Sequence, residues 1–319
     1  MRRLPALALT VATALALAGC TSSNDPTDPG SSGVGPLPGV VVTGKVGEPP
    51  TITFKTPLKL DESRSKVLDQ GTGSPIISDQ LFVLELTLVD GRTGKKVIST
   101  YDQGRSAVAV KESDANLFPV LLKALTGQKQ GSRIVVEATA ADAYGDNGAP
   151  QYDILPGDPI VIVADVLAVP PTTILPSAAG RVVPARKGIP TVVLTDGHVS
   201  RLNFAHATKS KPKHLVVIPL IEGTGPPARA NSLVTLNYLG QLYGTDKVFD
   251  QTFSKEPATI PLGTDGVIEA WDRALVGVPR GSRVLVLTPP RLAFKATGSP
   301  PGIPGNATLA YVIDVLGVS

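Results

Sequence analysis

Residues 267–275 read VIEAWDRAL, and within this stretch Val267, Ile268, Trp271 and Leu275 recur at helical spacing. The stretch contains the single tryptophan of the chain. Around it lie short runs rich in Val, Ile, Leu and Thr that are bounded by Gly and Pro, a pattern typical of antiparallel strands. One helix packed on an antiparallel sheet predicts an α+β fold.

Three short motifs recur at a nearly constant offset of 149 to 152 residues. They are QGTG (70–73) with EGTG (222–225), GSR (131–133 and 281–283), and ADVL (164–167) with IDVL (313–316). Such an offset predicts a duplicated domain. PTITF (50–54) parallels PTVVL (190–194) at a shorter offset, so the second copy is expected to have gained about a dozen residues near 197–213.

The N-terminus has the composition of an export signal. Arg2 and Arg3 precede an uncharged run, residues 4–17, that is too short to span a bilayer of about 30 Å, and small residues follow. Cys20, the only cysteine, resembles the acylated cysteine of bacterial lipoproteins. We therefore expect a lipoprotein signal peptide (1–19) and lipid attachment at Cys20, which would anchor the exported protein to the outer face of the cell membrane. An ordinary secretory signal with an unrelated cysteine is the alternative.

Composition divides the rest of the chain. Residues 20–36 are mostly Ser, Gly, Pro, Asp and Thr, which predicts a flexible tether. The remainder is long enough for two domains, and a Pro-rich stretch after Pro170 separates residues 37–170 from residues 171–319, the second with an N-terminal extension. A net charge of +3 without a basic stripe carrying aromatic residues argues against binding to nucleic acid.

The second copy resembles the FKBP-type peptidyl-prolyl cis/trans isomerases, whose domain is an antiparallel sheet wrapped around one short helix. The matching motifs, in family order and spacing, are NYLG (237–240), KVFD (247–250), LG (262–263), VIEAWD (267–272), PPRLAF (289–294) and GIPGNATL (302–309). Together with the repeat, the resemblance implies two tandem FKBP-like domains.

The resemblance also implies a site. Trp271 would form the floor beneath a substrate proline ring, Asp250 would be the single carboxylate, held by the Tyr238 hydroxyl, and the Ile268 backbone N–H would bind a substrate carbonyl. The remaining walls would be Phe249, Val267, Phe294, Ile303 and Tyr311. Rotation about an X-Pro bond is slow because the amide has partial double-bond character, and a pocket that removes water favours the twisted state. Such catalysis needs no cofactor or metal.

Three departures from the family pattern bear on activity. Family members usually carry an aromatic residue where Ala258 stands and a tyrosine where Phe294 stands, so we expect reduced activity. Ser299 replaces another common residue of the pocket rim and is expected to change substrate preference.

The first copy departs further from the family. Its residues at four positions of the site are all apolar: Leu86 stands at the position of Tyr238, Val97 and Ile98 at those of Phe249 and Asp250, and Leu121 at that of Trp271. Although DAYG (142–145) resembles the family loop, we expect a degenerate domain that keeps the fold without isomerase activity.

The sequence thus predicts a peptidyl-prolyl isomerase that assists the folding of exported proteins at the cell envelope, with the activity in the second domain. The alternative is a non-catalytic peptide-binding or holdase module with FKBP-like folds. Expected partners are unfolded or extended polypeptides that contain proline, the membrane through the lipid anchor, and macrolide ligands of the family. The three histidines lack metal-ligand spacing, and neither a phosphate loop nor a Gly-x-Ser-x-Gly elbow is present.

Overall fold

Two antiparallel sheets, each with one short α-helix, form the part of the protein that the computed structural model describes, residues 39–111, 117–264 and 266–319. The predicted α+β class is confirmed by this sheet-rich architecture. The signal peptide, Cys20 and the tether proposed for residues 20–36 lie outside the described residues. Within the described ranges, no helix has the length and apolar character needed to span a bilayer.

The first half of the chain begins with a hairpin and continues into a six-stranded sheet. The hairpin consists of β1 (Val41–Thr43) and β2 (Thr51–Thr53). The sheet and its helix comprise β3 (Arg64–Asp69), β4 (Leu81–Asp90), β5 (Lys96–Ser99), β6 (Val108–Lys111), α1 (Pro119–Leu125), β7 (Arg133–Ala138) and β8 (Ile160–Ala168). The strand order is β3-β7-β8-β4-β5, and β6 also pairs with β4.

The second half has a seven-stranded sheet and a hairpin of its own. Its elements are β9 (Gly180–Val182), β10 (Thr191–Thr195), β11 (His198–Asn203), β12 (Val216–Gly223), β13 (Leu233–Leu242), β14 (Val248–Gln251), β15 (Ala258–Pro261), α2 (Glu269–Leu275), β16 (Arg283–Thr288) and β17 (Leu309–Val318). The order is β14-β13-β17-β16-β12-β9, and β15 also pairs with β13. Apart from β9, this is the order of the first sheet.

In each sheet, one face packs on the α-helix and the opposite face packs on a hairpin. In β17, Tyr311 and Ile313 pack with α2, whereas Ala310 and Val312 pack on the opposite face, as the alternation of side chains along a strand requires. Leu202 of the β10–β11 hairpin covers that opposite face. The β1–β2 hairpin covers the equivalent face of the first sheet, so the face that carries the helix stays available for a site.

The hairpins differ from the sequence parallel between PTITF and PTVVL. Thr51–Thr53 is the second strand of its hairpin, whereas Thr191–Thr195 is the first strand of the other. The residues that distinguish the second copy near 197–213 form β11 and the loop that follows it.

Close backbone packing explains why the Gly-Thr-Gly motif recurs in both halves. A Cβ on Gly71 would lie 2.2 Å from a carbonyl oxygen of the facing turn, and one on Gly223 would lie 2.3 Å from the equivalent oxygen. The hydroxyls of Ser132 and Ser282 accept the backbone N–H of these two glycines at 2.9 and 3.0 Å. The motifs are therefore packing elements of both sheets.

Candidate active site

One cavity of about 440 Å³ opens on the helix face of the second sheet. It brings together all nine residues proposed for the site: Tyr238, Phe249, Asp250, Val267, Ile268, Trp271, Phe294, Ile303 and Tyr311. Four neighbours along the chain complete the wall: Ser299, Pro300, Pro301 and Gly302.

A glycine on the central strand β13 makes room for the cavity. Gly240 pairs with Asp250 of β14 on one side and with Tyr311 of β17 on the other. A Cβ on Gly240 would lie 2.6 Å from the ring of Phe249 and 2.9 Å from the ring of Tyr311. Glycine therefore allows both rings to approach the strand and to line the cavity.

The floor of the cavity is an aromatic cluster centred on the indole of Trp271. The ring of Tyr238 meets it edge to face at 5.0 Å between centroids, and the ring of Tyr311 does so at 5.3 Å. Phe249 in turn packs edge to face on Tyr311 at 5.8 Å. Each edge-to-face pair of this kind contributes about 0.5 to 1.5 kcal/mol beyond the burial of its area, so the pairs stabilise this arrangement of the floor.

Asp250 is the one carboxylate among the described residues that line the cavity, and a tyrosine orients it. The Tyr238 hydroxyl donates a hydrogen bond to Oδ2 of Asp250, while Oδ1 accepts the backbone N–H of Gln251 at 2.8 Å. Burial, and secondly the hydrogen bond to Asp250, raises the pKa of Tyr238. The phenol therefore stays protonated and remains a donor, and the exposed carboxylate of Asp250 can accept a hydrogen bond from a ligand.

The entrance to α2 differs from the helix predicted from the sequence. The helix begins at Glu269, because Ile268 has the extended backbone angles φ −63° and ψ 143° of a residue that precedes a helix. Val267 and Ile268 therefore lie on the segment before the helix, where they line the cavity. Asp272 accepts the backbone N–H of Gly263 at 2.8 Å and fixes that segment to the helix.

The loop after the cavity residue Phe294 carries the predicted residues Ser299 and Ile303 and, between them, wall residues that we did not predict. Ser299 and Ile303 exchange two backbone hydrogen bonds, at 2.8 and 2.9 Å, and close a tight loop. Pro300 and Pro301 lie at its tip and line the cavity. The proximity of these prolines to the matched GIPG motif is the only sequence signal that could have identified them.

Two residues that depart from the family pattern, Phe294 and Ala258, lie in different places relative to the cavity. Phe294 lines the cavity without a hydroxyl, as its sequence position implies. Ala258 pairs with Leu236 on β13 and packs against the core of the second sheet, and it is not among the residues that line the cavity.

The first sheet has apolar contacts at the equivalent place. Leu121 is buried in its hydrophobic core, and Leu86 and Ile98 pack against that core while partly buried. Phe118, which precedes α1, packs edge to face on Tyr144 at 5.1 Å. Neither a carboxylate nor an indole is present at these positions. Among the described residues of the whole chain, no group of three His, Cys, Asp or Glu side chains could hold a metal ion.

Several known proteins are similar to this chain. A 46 kDa FK506-binding nuclear protein of Spodoptera frugiperda is 36% identical over 96 residues, which is 30% of this chain and 23% of that protein. A 39 kDa FK506-binding nuclear protein of Drosophila melanogaster is 30% identical over 102 residues, which is 32% of this chain and 29% of that protein. A crystal structure of the three FKBP domains of wheat FKBP73 is 20% identical, with a TM-score of 0.34, and the match covers 81% of this chain and 94% of that one.

These relatives contradict the predicted localisation. Two of them are named as nuclear proteins, whereas we predicted an exported protein with a lipid anchor at the outer face of the cell membrane. That prediction depended on residues 1–20 alone, where an uncharged run and one cysteine are only a compositional signal. We therefore withdraw the predicted location at the outer face of the cell membrane and the membrane as a partner.

All residues that line the cavity fall within the region of family similarity. Residues 225–316 match the family described as FKBP-type peptidyl-prolyl cis-trans isomerase. The chain spans less than a third of the length of the two curated relatives, so their similarity applies to this region. The similarity to the FKBP-type peptidyl-prolyl cis-trans isomerase family is therefore a finding about residues 225–316.

Proposed function

We propose that residues 171–319 are an isomerase domain that catalyses cis/trans isomerisation of X-Pro bonds in unfolded or extended polypeptides and so assists their folding. The observation that carries this proposal is the convergence of all nine expected residues on one cavity with a single oriented carboxylate. Residues 37–170 are, in this proposal, a degenerate FKBP-like domain, because its equivalent positions are apolar.

The barrier to be lowered is that of the X-Pro amide, about 18 to 20 kcal/mol. The planar amide is stabilised by resonance and by water that binds its polar atoms. In the proposed complex the proline ring lies on the indole of Trp271, so the amide is removed from water and the less polar, twisted state becomes relatively more stable. No bond to the protein forms in this mechanism.

Two polar groups would orient the substrate chain. The backbone N–H of Ile268 lies beside the cavity, ahead of α2, and would donate to a carbonyl of the substrate. The carboxylate of Asp250, held by Tyr238, would accept a hydrogen bond from the substrate backbone or interact with the twisted carbonyl carbon. A few directed polar groups within an apolar wall are the usual design of a selective pocket.

The relatives are named FK506-binding proteins, and the same cavity is proposed to bind such a macrolide. FK506 would then compete with peptide, which supplies a second readout of the site.

The test is an isomerisation assay on proline tetrapeptides with the full chain, the Asp250→Val variant and the Trp271→Leu variant. Leucine occupies the equivalent of position 271 in the first sheet, at Leu121, so that the fold accommodates it. We expect kcat/KM to fall about tenfold or more in each variant, the size of one lost hydrogen bond to a charged group or one lost aromatic contact. The Ile98→Val variant, at the position in the first sheet equivalent to Asp250, is the matched control and should stay within about twofold of wild type.

A folded protein that gives only the uncatalysed rate, without competition by FK506, would contradict the proposed isomerase. Equal losses in the Ile98→Val control would place the activity elsewhere than in the second domain.

A further inference from the structure

A second and larger cavity lies in a groove beside the first sheet. Its volume is about 610 Å³. The walls are mostly apolar and come from β4, β5, β6 and the loops beside them: Leu86, Ile98, Thr100, Arg105, Ser106, Ala107, Val108, Ala109, Val110 and Leu117. Thr264 and Gly266 of the second half complete the wall, and we call this cavity the inter-sheet groove.

The inter-sheet groove shares a loop with the proposed active site. Thr264 and Gly266 line the groove, and the next residues along the chain, Val267 and Ile268, line the cavity of the second sheet. One short segment therefore separates the two cavities. Because an extended chain advances about 3.3 Å per residue, a few residues of polypeptide suffice to pass from one cavity to the other.

Packing between the two halves fixes the wall of the groove. Ala107, which lines it, is buried in an apolar cluster that also contains Val83, Ala168 and Leu233. Leu233 belongs to β13 of the second sheet and is fully buried. The groove is therefore formed jointly by both halves of the chain.

The chemistry of the groove differs from that of the active-site cavity. Leu86 and Ile98 occupy the positions that Tyr238 and Asp250 occupy in the second sheet, so an aliphatic surface replaces the oriented carboxylate. Among the described residues that line the groove, the exposed Arg105 is the one with a charged side chain. Such a surface suits aliphatic side chains of an extended chain and offers a donor to its backbone carbonyls.

We propose that the inter-sheet groove binds an apolar stretch of the same unfolded polypeptide whose proline occupies the cavity of the second sheet. This inference rests on the proposed isomerase function and assigns a substrate class to it: unfolded chains in which apolar residues lie a short distance from proline. One occupant can reach both places because Thr264 and Gly266 of the groove are next to Val267 and Ile268 of the active-site cavity, and this favours it over a separate small ligand or a second copy of the protein.

The test compares a short with a long substrate. The short one is a proline tetrapeptide, which fills only the cavity of the second sheet. The long one is a protein whose refolding is limited by prolyl isomerisation, with unfolded, carboxymethylated α-lactalbumin as a competitor. The Ile98→Asp variant makes the groove polar at the position equivalent to Asp250, and circular dichroism and the melting temperature check that it folds. The Ser106→Trp variant fills the groove from a loop, and Val182→Asp, at a residue of β9 that is 73% exposed, is the control.

We expect both groove variants to raise KM for the refolding protein by about tenfold or more, the effect of one apolar side chain that is no longer buried. Competition by the unfolded lactalbumin should weaken to the same extent, while kcat/KM for the tetrapeptide stays within about twofold of wild type. The control should match wild type on both substrates.

An unchanged KM for the refolding protein in both groove variants would overturn the inference, whatever else the groove binds. Binding of labelled, unfolded lactalbumin, measured by fluorescence anisotropy, separates this inference from the proposed isomerase. Loss of that binding in Ile98→Asp supports the groove even where no isomerase activity is found, and retained binding in both variants contradicts the groove even where the isomerase is active.

Discussion

The phenol of Tyr238 on β13 donates a hydrogen bond to the carboxylate of Asp250 on the neighbouring strand β14. The same ring packs edge to face on the indole of Trp271. One side chain thus orients both the polar and the apolar part of the proposed site. The two contacts can be separated experimentally, because phenylalanine would keep the ring and lose only the hydroxyl.

The Tyr238→Phe variant should keep the aromatic floor and release the Asp250 carboxylate. A net hydrogen bond contributes about 0.5 to 1.5 kcal/mol, so we expect kcat/KM on a proline tetrapeptide to fall by up to about tenfold. The control is Tyr243→Phe, which removes a buried hydroxyl that donates to the carbonyl of Thr208 outside the cavity. That variant should lower thermal stability and leave kcat/KM unchanged, and an equal loss of activity in both would assign Tyr238 a purely structural role.

The ionisation of buried tyrosines should lower the free energy of unfolding only above the ordinary pKa of tyrosine, about 10. Burial is the main cause that raises the pKa of Tyr101, Tyr238 and Tyr311, and the neighbouring Asp165 or Asp250 adds to it. A phenol whose pKa is higher in the folded than in the unfolded chain stabilises the fold below about pH 10, and this stabilisation is lost as the pH rises through the folded pKa.

The free energy of unfolding should therefore be insensitive to these phenols between pH 7 and 9 and should decrease above about pH 10. Denaturant titrations at a series of pH values measure it. The Tyr311→Phe variant should flatten the decrease, because its phenol is almost fully buried. An equally steep decrease in that variant would show that Tyr311 ionises alike in both states.

The Phe294→Tyr variant tests whether the missing hydroxyl reduces activity. Phe294 lines the cavity, and Tyr144 at the equivalent position of the first sheet shows that a tyrosine ring fits this loop. We expect kcat/KM to rise by up to about tenfold, if the new hydroxyl donates to the prolyl carbonyl in the transition state. A lower kcat/KM with an unchanged melting temperature would mean that the hydroxyl competes with the substrate for the cavity.

The strands that build the site were predictable, because alternating burial leaves a period of two in the sequence. The start of α2 was not, because Val267 and Ile268 continue the apolar pattern of the helix while their backbone precedes it. Pro300 and Pro301 could not be assigned to the wall, because a loop between two bridged residues has no periodicity.

The inter-sheet groove could not be predicted at all. Its walls come from residues as far apart as Leu86 and Gly266, and no repeat or motif connects them. By contrast, the repeat GSR predicted an arginine at the equivalent position of both halves, Arg133 and Arg283. In the structure, each arginine pairs with an aspartate of the last strand of its sheet, Asp165 or Asp314.

The first of these pairs should be the more important for stability. Arg133 and Asp165 are both 1% exposed, and Nε of Arg133 donates to Oδ1 of Asp165 at 2.7 Å. Asp165 also accepts the hydroxyl of Tyr101 at 2.5 Å and the backbone N–H of Gly47 at 2.8 Å, so it connects the β1–β2 hairpin to the sheet. Asp165→Asn leaves the guanidinium buried without its counter-ion, a change that destabilises proteins by about 3 to 5 kcal/mol.

The matched variant is Asp314→Asn. The partner of Asp314, Arg283, is 16% exposed and stacks over the ring of Phe253 at 5.9 Å. Solvent and the ring therefore partly replace the lost carboxylate. Guanidinium titrations followed by circular dichroism report both halves of the chain, whereas the emission of Trp271 reports the second alone. Asp165→Asn should move the dichroism transition to a lower denaturant concentration and leave the emission transition near its wild-type midpoint. Asp314→Asn should shift the emission transition by less than Asp165→Asn shifts the dichroism transition. Coincident shifts of both probes in Asp165→Asn would show that the two halves unfold as one cooperative unit, which the apolar cluster that contains Ala107 and Leu233 would then explain.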